Sequence, residues 1–200
     1  MKIRKLHILF FLVLLTGCQE TNVQPPGSEL NEMTGLKKEL AALNEKDNVH
    51  FKEISEDYRL SLKIFREEGD AEDRIYYDVM IDKPKDVMRD VTVTGILDDS
   101  MSEFVMADSL GFSNVDAIDD NSRENYTLEP EDSKIKGIAT SRGFILNENP
   151  VNKTTFNNIL SDIKLKISWK DKSNKTHTDY LKPNSSIIEV DPSLITYYNN

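Results

Sequence analysis

The sequence predicts a mainly β protein: an antiparallel β-sandwich over residues 50–191, preceded by a short N-terminal amphipathic helix. Three observations support this fold class. Apolar and polar residues alternate in several short runs, which is the period of a strand with one buried face. Polar turns separate these runs, and the last pair of runs carries an inward-facing Trp169. A domain of about 140 residues can bury roughly two-thirds of the surface that its unfolded chain exposes.

The first element along the chain has the features of an export signal. Basic residues are followed by an apolar run from Ile8 to Leu15, which is too short for a membrane-spanning helix of about 20 residues. The run ends in Leu15-Thr16-Gly17-Cys18, and Cys18 is the only cysteine of the chain. This order resembles the lipobox of bacterial lipoprotein signal peptides.

The lipobox resemblance implies a lipid-anchored protein. Residues 1–17 would be removed as a signal peptide, and Cys18 would receive a diacylglycerol, whose two acyl chains are sufficient for stable anchoring. The mature chain would lie at the outer face of the bacterial cytoplasmic membrane. A composition rich in Lys and Asn and poor in Ala favours a Gram-positive source. The alternative is ordinary cleavage near Gly17, with Cys18 as an incidental thiol.

A polar segment and one helix are predicted between the anchor and the sandwich. Residues 18–28 contain Pro25-Pro26-Gly27 and read as a flexible lipidated tether. Over residues 29–46, five apolar residues recur at spacings of 3, 3, 4 and 3, which indicates an amphipathic helix; they are Leu30, Met33, Leu36, Leu40 and Leu43. The helix is either a spacer or packed on the domain, a weak self-association element, or largely disordered.

The predicted strands begin with a hairpin around the acidic loop after residue 66. Tyr58 to Ile64 and Ile75 to Ile81 both alternate with period two, and Pro84 ends the second strand because proline cannot donate to a ladder. Val91 to Leu97 is a third strand. Four shorter runs are weaker candidates: Met101–Met106, Tyr126–Leu128, Lys134–Ala139 and Gly143–Leu146.

The clearest strand pair lies near the C-terminus. Ile163 to Lys170 alternates strictly, and a two-residue turn at Ser173-Asn174 would place Trp169 opposite Thr178 and Ile167 opposite Tyr180. Slipping by one residue would bring Asp179 to the buried side, so the first register is preferred. A turn of helix is expected before this pair, because Phe156, Ile159, Leu160 and Ile163 have helical spacing. Residues 192–200 are expected to form a C-terminal tail.

The pattern of short strands with an inward tryptophan resembles immunoglobulin-like domains of bacterial surface lipoproteins. The cysteine pair of true immunoglobulin domains is absent. The resemblance implies a domain that presents a sheet face or a loop end to a partner. It names no specific family and no ligand.

The net charge of −10 excludes one class of partner. Loss of Lys2, Arg4 and Lys5 with the signal peptide would remove three positive charges and leave −13. Nucleic acid binding needs a basic footprint, so no nucleic acid partner is expected. The membrane would be contacted through the lipid on Cys18, not through a polybasic patch.

No motif for a reaction, a cofactor or a metal stands out. The acidic clusters 67–73, 98–99 and 116–124 do not match an EF-hand and are read as solvated loops. Only His50 and His177 would remain after processing, and the nucleophile-elbow signature G-x-S-x-G is absent. No cofactor or metal site is therefore predicted.

The predicted function is that of a binding or interaction domain whose partner is a protein or a cell-wall polymer. Trp169 is a candidate interaction residue if its side chain is exposed, because an exposed tryptophan on a sheet is a candidate hot spot. The competing hypothesis is an envelope-acting hydrolase that uses carboxylates. A structural or stress-related lipoprotein without a specific ligand is a third alternative.

Overall fold

A computed structural model of the chain describes residues 34–41, 51–114, 127–130, 135–150 and 153–198. The described strands form two sheets. The five-stranded sheet has the order β4-β6-β2-β1-β9, from β1 (Arg59–Glu67), β2 (Arg74–Asp82), β4 (Val105–Met106), β6 (Gly137–Leu146) and β9 (Ile188–Val190). The four-stranded sheet has the order β5-β3-β7-β8, from β3 (Arg89–Leu97), β5 (Gly111–Ser113), β7 (Ile163–Lys170) and β8 (Thr176–Leu181).

The predicted fold class is confirmed at the level of a mainly β, two-sheet protein. All described strand pairs are antiparallel except β1 with β9. The inward side chains of both sheets belong to one hydrophobic core. This arrangement is consistent with a β-sandwich, in which each sheet buries its apolar face against the other.

The first predicted hairpin is confirmed residue by residue. β1 pairs with β2 over their full lengths, with Leu62 opposite Val79. The alternating apolar residues all point into the core and are at most 7% exposed: Leu60, Leu62, Ile64, Ile75, Tyr77, Val79 and Ile81. The second strand ends at Asp82, two residues before Pro84, as expected.

The weaker strand candidates have mixed outcomes. Lys134–Ala139 and Gly143–Leu146 fall largely in one continuous strand, β6, because polar Thr140 occupies an inward position that had looked like a break. Met101–Met106 is divided between a 3-10 helix at Asp99–Glu103 and β4. In the run Tyr126–Leu128, Leu128 forms an isolated bridge to Met88, whereas Tyr126 lies outside the described residues.

The predicted register of the β7–β8 hairpin is wrong by one residue. Trp169 lies opposite His177 and Ile167 lies opposite Asp179. The loop between Asp171 and Lys175 has three residues and includes Asn174 at φ 62°, a left-handed conformation that Asn tolerates and that three-residue hairpin loops require. Asp179 therefore faces inward and is only 4% exposed.

Residues 192–198 of the predicted C-terminal tail pack against the hydrophobic core, and residues 199–200 lie outside the described residues. Residues 192–197 form helix α3 (Pro192–Tyr197), with the Asp191 carboxylate accepting from the Ser193 N–H at its N-terminus. Leu194 is fully buried, and the Tyr198 hydroxyl donates to the Asn147 carbonyl at 2.7 Å. The helix before β7 is present as α2 (Phe156–Ile159).

The N-terminal helix is described over part of its expected length. Residues 34–41 are helical (α1), and the rest of 29–46 lies outside the described residues. Leu36 and Leu40 are buried against Ile96 on the outer face of the four-stranded sheet. Glu39 accepts two hydrogen bonds from Lys166 Nζ, at 2.8 and 3.1 Å. No helix in the described part of the chain is long and apolar enough to cross a membrane.

Candidate binding cleft

Sequence analysis singles out Cys18 and Trp169. Cys18 lies outside the described residues, and Trp169 does not line the cleft described below. Trp169 is 6% exposed, because the Tyr58 ring meets it edge-on at 5.5 Å between centroids and the His177 ring stacks on it at 5.4 Å. The indole is thus part of the core and is not presented to a partner.

Asp179 is the centre of a buried polar cluster next to Trp169. Its carboxylate accepts hydrogen bonds from Lys52 Nζ at 2.5 Å, Ser55 Oγ at 2.8 Å and the Tyr58 hydroxyl at 3.2 Å. Burial and the nearby Asp179 charge raise the pKa of Tyr58, while the hydrogen bond to Asp179 raises the pKa of Lys52. Both oxygens of the carboxylate accept hydrogen bonds from the chain itself, so the cluster contributes to the stability of the fold.

The same cluster holds the segment that contains Lys52 against the outer edge of β8. The Lys52 N–H donates to the Tyr180 carbonyl at 3.0 Å, and the Lys182 N–H donates to the Lys52 carbonyl at 2.9 Å. These bonds pair part of the β8 edge that would otherwise be open. The sequence prediction missed this arrangement because it placed Asp179 on the solvent side.

The acidic clusters in the described part of the chain have structural partners. In the loop between β1 and β2, Arg66 pairs with Glu68 and Asp73 at 3.1 and 2.6 Å. The Asp98 carboxylate accepts from the Ser100 N–H at the start of the 3-10 helix. Hydrogen bonding to the Ser100 side chain and to its N–H lowers the pKa of Asp98. Cluster 116–124 lies outside the described residues. Among the described residues, no three acidic, His or Cys side chains converge to hold a metal ion.

Three aspartates nevertheless line one small cleft of about 260 Å³ beside α1: Asp98, Asp99 and Asp162. Lys37 contacts the Asp99 carboxylate at 2.6 Å, and Lys182 contacts that of Asp162 at 2.9 Å. Asp99 and Asp162 are therefore each paired with a lysine at this cleft.

A second cleft, of about 470 Å³, lies at the outer edge of β6. The edge is paired by β4 only at its end, where Met106 lies opposite Ile145 and the Asn147 N–H donates to the Phe104 carbonyl at 2.8 Å. On the other side, the Leu146 N–H donates toward β2, to the Asp73 carbonyl. Antiparallel ladders alternate with period two, so odd-numbered residues of β6 direct their N–H and C=O groups away from β2.

Ala139, Ser141 and Gly143 therefore continue the outward row beyond the end of β4. Within the described residues, no strand pairs with this stretch on its outer side. Their side chains are small and point to the outer face of the five-stranded sheet. A Cβ on Gly143 would come within 2.7 Å of the Tyr76 ring, so the ring lies over the glycine backbone.

The side chains around this edge supply aromatic, apolar and cationic groups. The rings of Tyr76 and Phe65 stack across the sheet at 5.3 Å between centroids. Met106 is 56% exposed. Arg74 and Arg142 line the cleft together with Asp108. We refer to this region, from Ala139 to Gly143 with its lining side chains, as the β6 cleft.

The β6 cleft has the chemistry of a binding surface. Backbone N–H and C=O groups can pair with an extended chain, an aromatic ring offers a flat contact area, and guanidinium groups recognise carboxylates. Sequence analysis did not identify it. The alternation of apolar and polar residues was a signal that could have found it. It places Tyr76 of β2 and the small residues of β6 on the same solvent-facing side of the sheet.

No protein-family model matches the chain, and no curated protein has a significantly similar sequence.

Proposed function

We propose that this is a lipid-anchored extracytoplasmic protein whose β-sandwich, immunoglobulin-like in type, binds a protein or cell-wall partner at the outer face of the bacterial cytoplasmic membrane. The lipobox-like sequence Leu15-Thr16-Gly17-Cys18 supports the anchor. The tether and α1 would connect that anchor to the domain, and α1 contacts the sheet through Leu36 and Leu40.

The observation that carries the binding function is the β6 cleft. Within the described residues, it combines a stretch of β6 backbone that no strand pairs with on its outer side, an exposed methionine, an aromatic pair and two arginines. Edges of this kind are normally blunted or covered in soluble proteins, because they are templates for pairing with another chain. An edge retained on a tethered domain is therefore a natural place for a partner.

The anchor is tested by Cys18→Ala. We expect the variant to lose fatty acid labelling and to accumulate as precursor or leave the membrane fraction, because no other residue offers a thiol. Ser28→Ala, ten residues further along, is the matched control and should behave as the parent. A Cys18→Ala protein that still labels and fractionates with membrane would contradict the lipid anchor.

The binding function is tested by photo-crosslinking of the anchored protein in its native cells. A photoreactive amino acid replaces Met106 in the β6 cleft or Ile54 on the opposite side of the sandwich core. The two side chains are 56% and 55% exposed, so they form a matched pair. We expect a discrete adduct from position 106 that is absent from position 54. Equal or absent adducts at both positions would argue against the cleft as a binding site.

The competing function is an envelope-acting hydrolase that uses carboxylates, and the cleft lined by Asp98, Asp99 and Asp162 is the observation that favours it. Such an enzyme would release soluble fragments from purified cell-wall polymer. Asp99→Asn and Asp162→Asn would abolish the release, whereas Asp78→Asn on the outer sheet face would not. We expect no fragment release from the wild-type protein.

A further inference from the structure

We propose that α1 is a releasable strap. It is held on the outer face of the four-stranded sheet by the charges of Lys37 and Glu39, and it leaves that face as a unit while the sandwich stays folded. The inference goes beyond the binding function proposed for the β6 cleft, which lies on the five-stranded sheet. Its consequence for the reach of the domain rests on the proposed lipid anchor.

The apolar contact of α1 is separate from the core of the sandwich. Leu36 and Leu40 are buried against Ile96, and Phe51 and Tyr180 pack against the same small cluster. The core cluster that joins the two sheets contains none of these five residues. The inward side chains of the two sheets therefore remain buried against each other when α1 leaves.

Charged and polar groups hold α1 around this apolar contact. Lys166 Nζ donates to the Glu39 carboxylate at 2.8 and 3.1 Å, and the Tyr180 hydroxyl donates to the same carboxylate. Lys37 Nζ lies 2.6 Å from the Asp99 carboxylate, and the four side chains of these two ion pairs are between 29% and 81% exposed. Salt weakens interactions between exposed charges, so the docking depends on groups that water and ions can reach.

The packing between α1 and the sheet leaves open space. The cleft of about 260 Å³ lies between α1, which contributes Lys37, Leu40 and Ala41, and the residues around the end of β3 and the start of β7. Protein cores are close-packed, with few voids larger than a water molecule. The contact of α1 is therefore looser than the core of the sandwich, and its release does not require a dry interior to be opened.

The sheet face under α1 is compatible with water after release. Thr94, Lys166 and Tyr180 lie opposite one another on three neighbouring strands, so this row of outward side chains is polar or amphipathic. Lys166 Nζ also lies 6.0 Å from the centroid of the Tyr180 ring, which is a cation–π distance. The ammonium group keeps this partner on the sheet when Glu39 leaves. The docked and the released states are thus both compatible with a folded sandwich.

Release changes two properties of the anchored protein. α1 lies between the predicted anchor at Cys18 and the sandwich. Release adds residues 34–50 to the tether, and a chain outside a helix spans up to about 3.3–3.6 Å per residue, so the domain reaches further from the membrane. Release also uncovers the surface formed by Ile96, Phe51 and Tyr180.

The test is amide hydrogen exchange of the full chain in detergent micelles, measured by NMR and corrected for sequence. We expect residues 38–41 of α1 to be protected, yet to exchange at least about tenfold faster than Leu165 and Ile167 of β7, because a local opening costs less free energy than unfolding of the sandwich. Raising NaCl from about 0.05 to about 1 M should speed exchange in α1 by about threefold and leave β7 unchanged, because exposed charges then interact only over about 3 Å.

A charge reversal tests whether the ion pair holds the strap. Glu39→Lys should speed exchange at residues 38–41 by about tenfold or more, because Lys166 then faces a like charge. Glu189→Lys is the matched control, since Glu189 is an exposed residue of β9 that pairs with Lys63, and it should leave α1 unchanged. Combining Glu39→Lys with Lys166→Glu restores an opposite pair and should return the exchange to within about threefold of the parent.

Each of four results would overturn the proposal. They are the absence of protection at residues 38–41 of the parent, exchange of α1 at the same rate as β7, equal effects of Glu39→Lys and Glu189→Lys, and α1 exchange that does not respond to NaCl. The NaCl series uses the parent and does not depend on the folding of any variant. Cys18→Ala tests the anchor separately, and its failure would remove the consequence for reach without altering the exchange results.

Discussion

At the outer edges of β8 and β6, backbone N–H and C=O groups point away from the sheet, and the two edges differ in how these groups are paired. At β8, the backbone of Lys52 pairs with Tyr180 and Lys182, and the Asp179 cluster holds that segment in place. At β6, the pairing by β4 stops at Ile145, and three residues continue the outward row in the described part of the sheet. The β8 edge is covered by the chain itself, whereas among the described residues no strand covers the β6 edge beyond Ile145.

The difference extends to the side chains beside each edge. The β8 edge lies next to a dense inward cluster in which Trp169, Tyr58 and Asp179 are each at most 6% exposed. The β6 edge has small residues facing outward, with Met106 left exposed beside it. Burial of large and charged groups at the β8 edge stabilises the fold. The small residues at the β6 edge leave space above the outer face of the sheet. The buried polar cluster thus lies beside the β8 edge, and the surface that we propose for binding lies beside the β6 edge.

The largest expected effect comes from removing the core side chain at the β8 edge. Trp169→Ala should lower the free energy of unfolding by about 3–5 kcal/mol, because it deletes a buried aromatic ring and leaves a cavity. Lys170→Ala, one residue along on the opposite face, should change it by about 0.5 kcal/mol or less. Chemical denaturation of the full chain compares them. Similar small losses for both would mean that Trp169 is not part of the core.

Asp179→Ala should have the next largest effect, about 2–3 kcal/mol of lost stability, because three hydrogen-bond donors lose a buried carboxylate. Lys52 is half exposed and regains water, which keeps the loss below that of a fully buried ion pair. The matched change near the other edge is Asp78→Ala, with an expected loss of about 0.5 kcal/mol. Denaturant midpoints measure both losses of stability. Equal losses for the two aspartates would show that the side chains at the β8 edge do not stabilise the fold more than those at the β6 edge.

Amide hydrogen exchange tests the comparison without any substitution. The N–H groups of Lys52 and Lys182 are bonded across the β8 edge, so they should exchange at least about tenfold more slowly than those of Ala139, Ser141 and Gly143 after correction for sequence. NMR of the unmodified chain measures all five. Comparable protection at the two edges would show that the β6 edge is covered in solution.

The smallest expected effect concerns the contact between α1 and β8. Burial acts to raise the pKa of Glu39. Hydrogen bonds from Lys166 and Tyr180 outweigh this effect and lower the pKa below its ordinary value of 4.5. A lowered pKa in the folded chain contributes stability above pH 4.5 that is lost as the pH falls through the folded value. Glu39→Gln should therefore cost less than about 1 kcal/mol at pH 7 and less still at pH 3.

The exposed Glu189, paired with Lys63 at 3.8 Å, is the control for this pH dependence. Glu189→Gln should change the unfolding free energy by less than Glu39→Gln at pH 7. If the loss caused by Glu39→Gln is the same at pH 7 and pH 3, the ionised carboxylate does not stabilise the docking of α1.

Much of the core could be predicted because its signal is local. Alternation with period two assigned the inward residues of β1, β2 and β7 correctly, including Trp169. The β6 strand was predicted as two fragments, since the polar Thr140 on the buried face interrupted the apolar pattern. The β6 cleft was not predicted, because it depends on where the neighbouring strand β4 ends. The residues of β6 alone do not show where its neighbour ends.

The sequence by itself determined the fold class, the first hairpin and the side of each long strand that faces the core, because side chains alternate strictly along a strand. Only the tertiary structure decided the register of β7 with β8, the burial of Asp179 and the docking of α3. The physical reason is distance along the chain. Asp179 can be buried because Lys52, 127 residues earlier, neutralises it, and no local pattern contains that partner.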